Sequence, residues 1–167
     1  MQMNNIILIG MPGSGKTTIG TELAEKIGYG YVDSDSVIIS QQGKRLSEII
    51  AEVGREVFLD IEARVNAELC ADCCVIATGG SAVYRDYAMQ KLKTLGKVVY
   101  LQLSYENIER RLGDLKARGV ALKEGFTLRD LYEERVPLYE KYADIVVKLD
   151  GKTVGQSVEA VAEAIGK

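Results

Sequence analysis

The apolar positions of this chain fall into five short runs, each too uniform to have one solvent-facing side. Such runs predict strands buried on both faces, at 5–9, 31–33, 75–77, 98–101 and 145–147. Between them, apolar residues recur with helical spacing, which predicts helices at 16–27, 35–42, 46–53, 56–70, 85–94, 105–112, 127–142 and 154–165. This alternation predicts an α/β fold, a parallel sheet between two helical layers.

Glycine and proline mark the interruptions of this pattern. Gly43 and Gly54 separate three consecutive helices, and Pro137 lies inside the helix 127–142 or near a break in it. Residues 113–126 form the longest stretch without periodicity. The total length of 167 residues suits one domain spanning 1–167.

Composition and charge exclude several classes of function. Hydrophobic residues make up 47% and the net charge is −3, so we expect no general affinity for nucleic acid or anionic membranes. No apolar run approaches the ~20 residues of a membrane span. The start of the chain lacks the features of a signal peptide, and we expect a cytoplasmic protein. Without histidine, acid–base chemistry must use carboxylates, lysines, tyrosines or water.

The three cysteines, Cys70, Cys73 and Cys74, are clustered near the junction of a predicted helix and a predicted strand. Their spacing could suggest a metal site, but the chain has no histidine or second cysteine pair to complete four ligands. An odd number also argues against a disulfide framework. We expect reduced thiols with no catalytic role.

The chemical signal is a glycine-rich segment between the first strand and the first helix. Residues 10–17, GMPGSGKT, fit the phosphate-binding P-loop G-x-x-x-x-G-K-[ST] at every fixed position. Glycines bring backbone N–H groups to phosphates, and the helix N-terminus adds partial positive charge. Lys16 is expected to reach the β- and γ-phosphates, and Thr17 to bind magnesium. The alternative is a glycine-rich turn without a ligand. The predicted ATP-binding residues are Gly13, Ser14, Gly15, Lys16, Thr17 and Thr18.

A P-loop does not identify the phosphate acceptor. No Asn-Lys-x-Asp guanine signature is present, and a mechanical ATPase would need a longer chain, so a small-metabolite kinase remains. Asp33 and Asp35 lie at the predicted C-terminal end of the second strand, at the sheet edge where α/β folds bind ligands. One carboxylate could hold Mg²⁺ through water and the other could face an acceptor hydroxyl. The alternative is an N-cap aspartate beside a solvated neighbour.

Taken together, these segments resemble the shikimate kinase family of P-loop proteins. The resemblance covers nearly the whole chain and rests on ordered segments: residues 10–17, 33–35, 54–62, 78–80, Arg111 with Arg118, and 135–139. It implies ATP-dependent phosphorylation of shikimate at its 3-hydroxyl, and a five-stranded sheet of order 2-3-1-4-5. It further implies acceptor-binding helices at 34–70, a mobile lid at about 113–126 and a monomer.

The resemblance also implies roles for individual residues. Asp33 corresponds to the magnesium-side carboxylate, and Asp35 to the residue that binds the acceptor hydroxyl and helps take its proton. Gly79 and Gly80 correspond to the substrate-binding loop. The predicted roles of the arginines are contact with adenine for Arg111, closure over the transferred phosphate for Arg118, and pairing with the substrate carboxylate for Arg135. For these arginines, solvated surface positions or an intrahelical ion pair are the alternatives.

The chain departs from the family pattern at two positions and in one segment, all in the acceptor pocket or lid. Leu59 stands where the family has an arginine that binds the substrate carboxylate, and Ser81 replaces a glycine. The lid sequence after Arg118 also differs. Arg55 or Arg64 could substitute for the missing arginine. Two alternatives to shikimate phosphorylation therefore remain: a kinase for another small hydroxylated metabolite, and a nucleotide-binding regulatory module without efficient transfer.

Overall fold

A single five-stranded sheet organises the computed structural model, which describes residues 4–113 and 118–167. The strands are β1 (Asn5–Ile9), β2 (Gly30–Asp33), β3 (Cys74–Ala77), β4 (Gly96–Gln102) and β5 (Ile145–Lys148). All adjacent pairs are parallel, and the order is β2-β3-β1-β4-β5. The predicted strands and their order are confirmed. β4 begins two residues earlier than the apolar pattern indicates.

Eight helices and one short turn are present among the described residues. The helices are α1 (Lys16–Ile27), α2 (Ser34–Gln42), α3 (Leu46–Val53), α4 (Arg55–Glu68), α5 (Asp86–Leu95), α6 (Tyr105–Arg111), α7 (Leu128–Tyr142) and α8 (Val154–Ile165). Pro137 lies inside α7 without ending it, so the break considered for this position does not occur. A 3₁₀ turn, Ala82–Tyr84, was not predicted because three residues carry no periodicity.

Two apolar clusters hold the elements together. The larger one surrounds the central strands, where Ile7, Leu8 and Val99 are completely buried because helices cover both faces. The smaller one packs α2, α3 and α4 together through Ile38, Ile49, Phe58, Leu59, Val65 and Ala121. The second cluster fixes the predicted acceptor-binding helices beside the carboxyl edge of the sheet.

Two expectations about peripheral features can be compared with the described part of the chain. The three cysteines are free and lie near the junction of α4 and β3, as predicted, with Cys74 as the first residue of β3. Over residues 4–113 and 118–167, no helix combines the length and apolar character needed to cross a bilayer.

Candidate active site

A cleft of about 690 Å³ opens at the carboxyl edge of the sheet. Residues from the P-loop line one end, and Asp35, Glu62 and Arg135 line the other. Because parallel strands all end at this edge, the loops after β1, β2 and β3 meet there. The sequence-predicted site residues Gly13, Ser14, Gly15, Lys16, Thr17, Thr18, Asp33, Asp35, Gly79, Gly80, Arg111, Arg118 and Arg135 all border this cleft.

The P-loop is shaped for an anion. Gly13 and Gly15 have φ values of 78° and 97°, which side-chain-bearing residues rarely adopt. The loop closes on itself through a hydrogen bond from Ser14 N to Met11 O of 3.1 Å. Helix α1 follows directly, and no side chain caps its N-terminus. Its first N–H groups are therefore available to phosphate oxygens.

Lys16 lies within this loop and is largely buried. Its Nζ donates to Gly10 O at 2.7 Å and Met11 O at 2.8 Å. Burial lowers the pKa of this amine to about 8, and the carboxylate of Asp35 is the largest opposing influence. The Lys16 ammonium group is therefore bonded to the P-loop carbonyls and also lies within electrostatic reach of the Asp35 carboxylate.

Two hard oxygen donors border the cleft beside the P-loop. Thr17 is exposed, and Asp33 accepts a hydrogen bond from Ser36 N at 3.2 Å through one carboxylate oxygen. Asp33 thus caps α2, as the alternative interpretation held, and still lines the cleft. Among the described residues, no group of three or more histidines, cysteines or carboxylates could hold a metal. The hydroxyl of Thr17 and the carboxylate of Asp33 together suit Mg²⁺, which also keeps water and phosphate ligands.

Asp35 is the carboxylate that faces the middle of the cleft. Its Oδ1 is buried and has no hydrogen-bond partner among the described residues. Burial raises the pKa of this carboxyl to about 6, the nearby Asp33 carboxylate adds to the rise, and Lys16 opposes it. A buried oxygen without a partner favours a ligand that can donate a hydrogen bond to it.

A second carboxylate, Glu62, lies beside Asp35. A Cβ added to Gly79 would lie 2.5 Å from Glu62 Oε2 and 2.7 Å from Asp35 Oδ1, so a side chain at this position would have to displace these carboxylates. Ser81 Oγ donates to Glu62 Oε1 at 2.6 Å. Burial raises the pKa of Glu62 to about 7. In the sequence, only the family resemblance drew attention to Glu62 and Ser81, and the hydrogen bond between them was not predicted.

Arg135 is 1% exposed and lines the end of the cleft away from the P-loop. Its Nε donates to Tyr84 Oη at 3.2 Å and its Nη2 to Ala121 O at 3.0 Å. No carboxylate of the described residues lies within 4 Å of it, so the considered pair with Glu134 or Glu140 does not form. A buried cation without an acidic partner is unfavourable unless a ligand neutralises it.

Arg111 and Arg118 lie at the nucleotide end. Arg111 Nη1 donates to Gly13 O at 3.2 Å, and Arg118 Nη2 donates to Arg111 O at 3.3 Å. A Cβ added to Gly119 would lie 2.7 Å from Leu46 Cβ, so this part of the predicted lid contacts α3. Of the predicted lid 113–126, residues 114–117 lie outside the described residues.

The arginines considered as substitutes at position 59 differ in placement. Leu59 is 1% exposed and packs in the smaller apolar cluster. Arg64 is exposed on α4 and does not border the cleft. The Arg55 side chain is 14% exposed, and its guanidinium carbon lies 4.9 Å from the centre of the Tyr84 ring. Arg55 therefore contacts Tyr84 near the acceptor end but does not itself border the cleft.

One further group of lining residues was missed. Lys152, Thr153 and Ser157 border the cleft where β5 leads into α8. Their position could have been predicted from the sequence. Residues 149–153 follow the last strand, and parallel pairing brings the end of that strand to the same edge as the P-loop.

Comparisons with known proteins agree with this geometry. The shikimate kinase family model matches residues 12–166. A shikimate kinase of Pseudomonas paraeruginosa is 39% identical, covering 99% of this chain and 98% of its own. One of Thermodesulfovibrio yellowstonii is also 39% identical, with 99% and 94% covered. The structure of shikimate kinase from Acinetobacter baumannii in complex with shikimate has a TM-score of 0.89 and 32% identity, covering 98% of this chain and 93% of that one. The chain therefore belongs to the shikimate kinase family, ATP-dependent phosphotransferases with an alcohol group as acceptor.

Proposed function

We propose that this protein transfers the γ-phosphate of ATP to the 3-hydroxyl of shikimate, producing ADP and 3-phosphoshikimate in aromatic amino acid biosynthesis. One observation carries the proposal: the buried guanidinium of Arg135, with no described carboxylate within 4 Å, shares a cleft with Asp35, whose buried Oδ1 has no hydrogen-bond partner among the described residues. An acceptor with a carboxylate and a hydroxyl satisfies both. Shikimate has this chemistry, and the related Acinetobacter baumannii enzyme was solved with it.

At the nucleotide end, the P-loop N–H groups and Lys16 hold the phosphates. Gly13, Ser14, Gly15 and Thr18 border the cleft there and would contribute to this cradle. Arg111 would lie against the adenine. Thr17 would bind Mg²⁺ directly and Asp33 through water. The ion would neutralise phosphate charge when bound.

At the acceptor end, Asp35 receives the hydrogen bond of the reacting hydroxyl and accepts its proton as the phosphate is transferred. Backbone groups of Gly79 and Gly80 hold the substrate, and Arg135 pairs with its carboxylate. Phosphoryl transfer requires little more than such positioning and charge stabilisation. The order of these groups along the cleft supports in-line transfer from the P-loop toward Asp35.

The lid completes the site. Arg118 would place its charge over the transferring phosphate when the lid closes, while closure excludes water as a competing acceptor. The contact of Gly119 with Leu46 supports this, because it ties the lid to the acceptor-binding helices. Lid mobility, one domain over 1–167, a monomeric state and cytoplasmic location stay predictions.

The proposal is tested by comparing acceptors. ADP release would be measured with ATP, Mg²⁺ and either shikimate, quinate, gluconate or no acceptor. We expect release to depend on shikimate, with a Michaelis constant between about 1 μM and 1 mM. Turnover with another hydroxy acid alone would favour the second candidate, which the apolar Leu59 supports. ATP binding without any acceptor-dependent release would indicate a regulatory module.

A further inference from the structure

The Arg135 guanidinium is held in one orientation by two partners. Its Nε donates to Tyr84 Oη and its Nη2 to Ala121 O, at 3.2 and 3.0 Å. The remaining nitrogen, Nη1, lies 2.9 Å from where a Cβ of Gly80 would stand. Because Gly80 borders the cleft, Nη1 lies on the side of the guanidinium that faces the cleft.

Tyr84 links this guanidinium to a carboxylate that does not touch it. The phenol accepts from Arg135 and donates to Glu134 Oε1 at 2.6 Å, and Lys123 Nζ fixes the other oxygen of Glu134 at 2.7 Å. The ring also lies against two guanidinium groups, with carbons of Arg55 and Arg135 at 4.9 and 5.3 Å from its centre. These contacts fix the position of the phenol.

The phenol of Tyr84 is an uncharged partner for Arg135, and this affects the charge that Arg135 can offer to a ligand. A carboxylate bonded to Arg135 would orient the guanidinium but neutralise its charge. The neutral hydroxyl orients it and leaves the charge to attract an anionic ligand.

We propose that Tyr84 is a positioning residue that sets the affinity of this enzyme for the carboxylate of its acceptor by orienting Arg135. The inference rests on the proposed function, since shikimate supplies the carboxylate. Tyr84 does not border the cleft and is not a catalytic residue. Its effect falls on acceptor binding and not on the nucleotide.

The test is Tyr84→Phe, which keeps the ring and removes only the hydroxyl. We expect the Michaelis constant for shikimate to rise about tenfold, the effect of losing one hydrogen bond to a charged group. Values for ATP and kcat should stay within about twofold, as expected when uniform binding is removed. Tyr87→Phe is the matched control, because Tyr87 is 53% exposed. An unchanged constant for shikimate in Tyr84→Phe would overturn the inference.

A shikimate analogue with an amide in place of the carboxylate distinguishes a lost orientation of Arg135 from a general disruption of the active site. Tyr84→Phe and the wild type should use this amide equally, because it carries no anion for Arg135. An equal loss on both acceptors would overturn the inference. Failure of the proposed function looks different, since the wild type itself would then not respond to shikimate.

A second variant covers the case in which Tyr84→Phe does not fold. Glu134→Ala keeps the ring but removes the oxygen to which Tyr84 donates, and Glu134 does not border the cleft. The phenol would still accept from Arg135 but would be less firmly fixed, so the Michaelis constant for shikimate should rise less than in Tyr84→Phe, by about threefold. No change for shikimate would count against the inference.

Discussion

Replacing Arg135 by methionine tests the acceptor end most sharply. Methionine nearly matches the length of arginine and removes the buried charge together with its bonds to Tyr84 and Ala121. If the charge serves the substrate, the variant should fold normally and bind shikimate poorly. A purely structural arginine would give the opposite result.

The two effects can be estimated separately. Losing a hydrogen bond to a charged group removes about 1.5–3 kcal/mol, so kcat/KM for shikimate should fall about 10- to 150-fold. For folding, apolar replacement of buried charges is neutral or stabilising by about 1–4 kcal/mol. The carbonyl of Ala121 loses its donor, which costs about 1–3 kcal/mol. Because these terms oppose, the free energy of unfolding should change little.

Thermal melting with and without shikimate measures both effects. At about 100 times its dissociation constant, shikimate should stabilise the wild type by about 2.7 kcal/mol. For a protein of this size, the melting temperature then rises by about 5–10 °C. Arg135→Met should show about half of that shift or less at the same concentration. Arg64→Met, at an exposed arginine of α4, is the control. A full shikimate shift in Arg135→Met would show that the Arg135 charge does not serve acceptor binding.

Three further outcomes are expected. Lys16→Ala should lower kcat at least about 100-fold with an unchanged circular dichroism spectrum, as for a lost transition-state donor; near-normal turnover would sink the P-loop assignment. Asp35→Asn should lower kcat about 100-fold or more, while the Michaelis constant for ATP stays unchanged; a loss confined to ATP affinity would remove Asp35 from the acceptor side. Burial raises the pKa of Glu62 to about 7 from 4.5, so the fold favours its protonated form. Wild-type stability relative to Glu62→Gln should therefore be retained below pH 4.5 and fall by about 3 kcal/mol as pH rises through 7; urea unfolding that shows no such trend would contradict the raised pKa.

The features that the sequence predicted well are local. Strand β1 and the P-loop follow from consecutive residues, because a buried strand, glycines and a helix start need no distant partner. Asp33 illustrates why two interpretations stayed open. It both caps α2 and borders the cleft, and a single sequence does not separate these roles.

The features that could not be predicted join residues far apart in the chain. Ser81 meets Glu62 across 19 positions, and Arg135 meets Tyr84 across 51. Helical spacing also could not say which side of α4 faces the cleft. Phe58 and Leu59 are equally buried, but only Phe58 lines the cleft. Both side chains belong to the smaller apolar cluster, and the packing of α4 against α2 and α3 places Leu59 away from the cleft.

The most direct test of the account is the structure of the product. Protein, ATP and Mg²⁺ would be incubated with shikimate and the mixture followed by ³¹P nuclear magnetic resonance. We expect ADP and one new phosphomonoester, with its phosphorus coupled to the proton at carbon 3 of shikimate. Phosphate on a different hydroxyl, or ADP with inorganic phosphate alone, would contradict the placement of Asp35 and Arg135 around the acceptor.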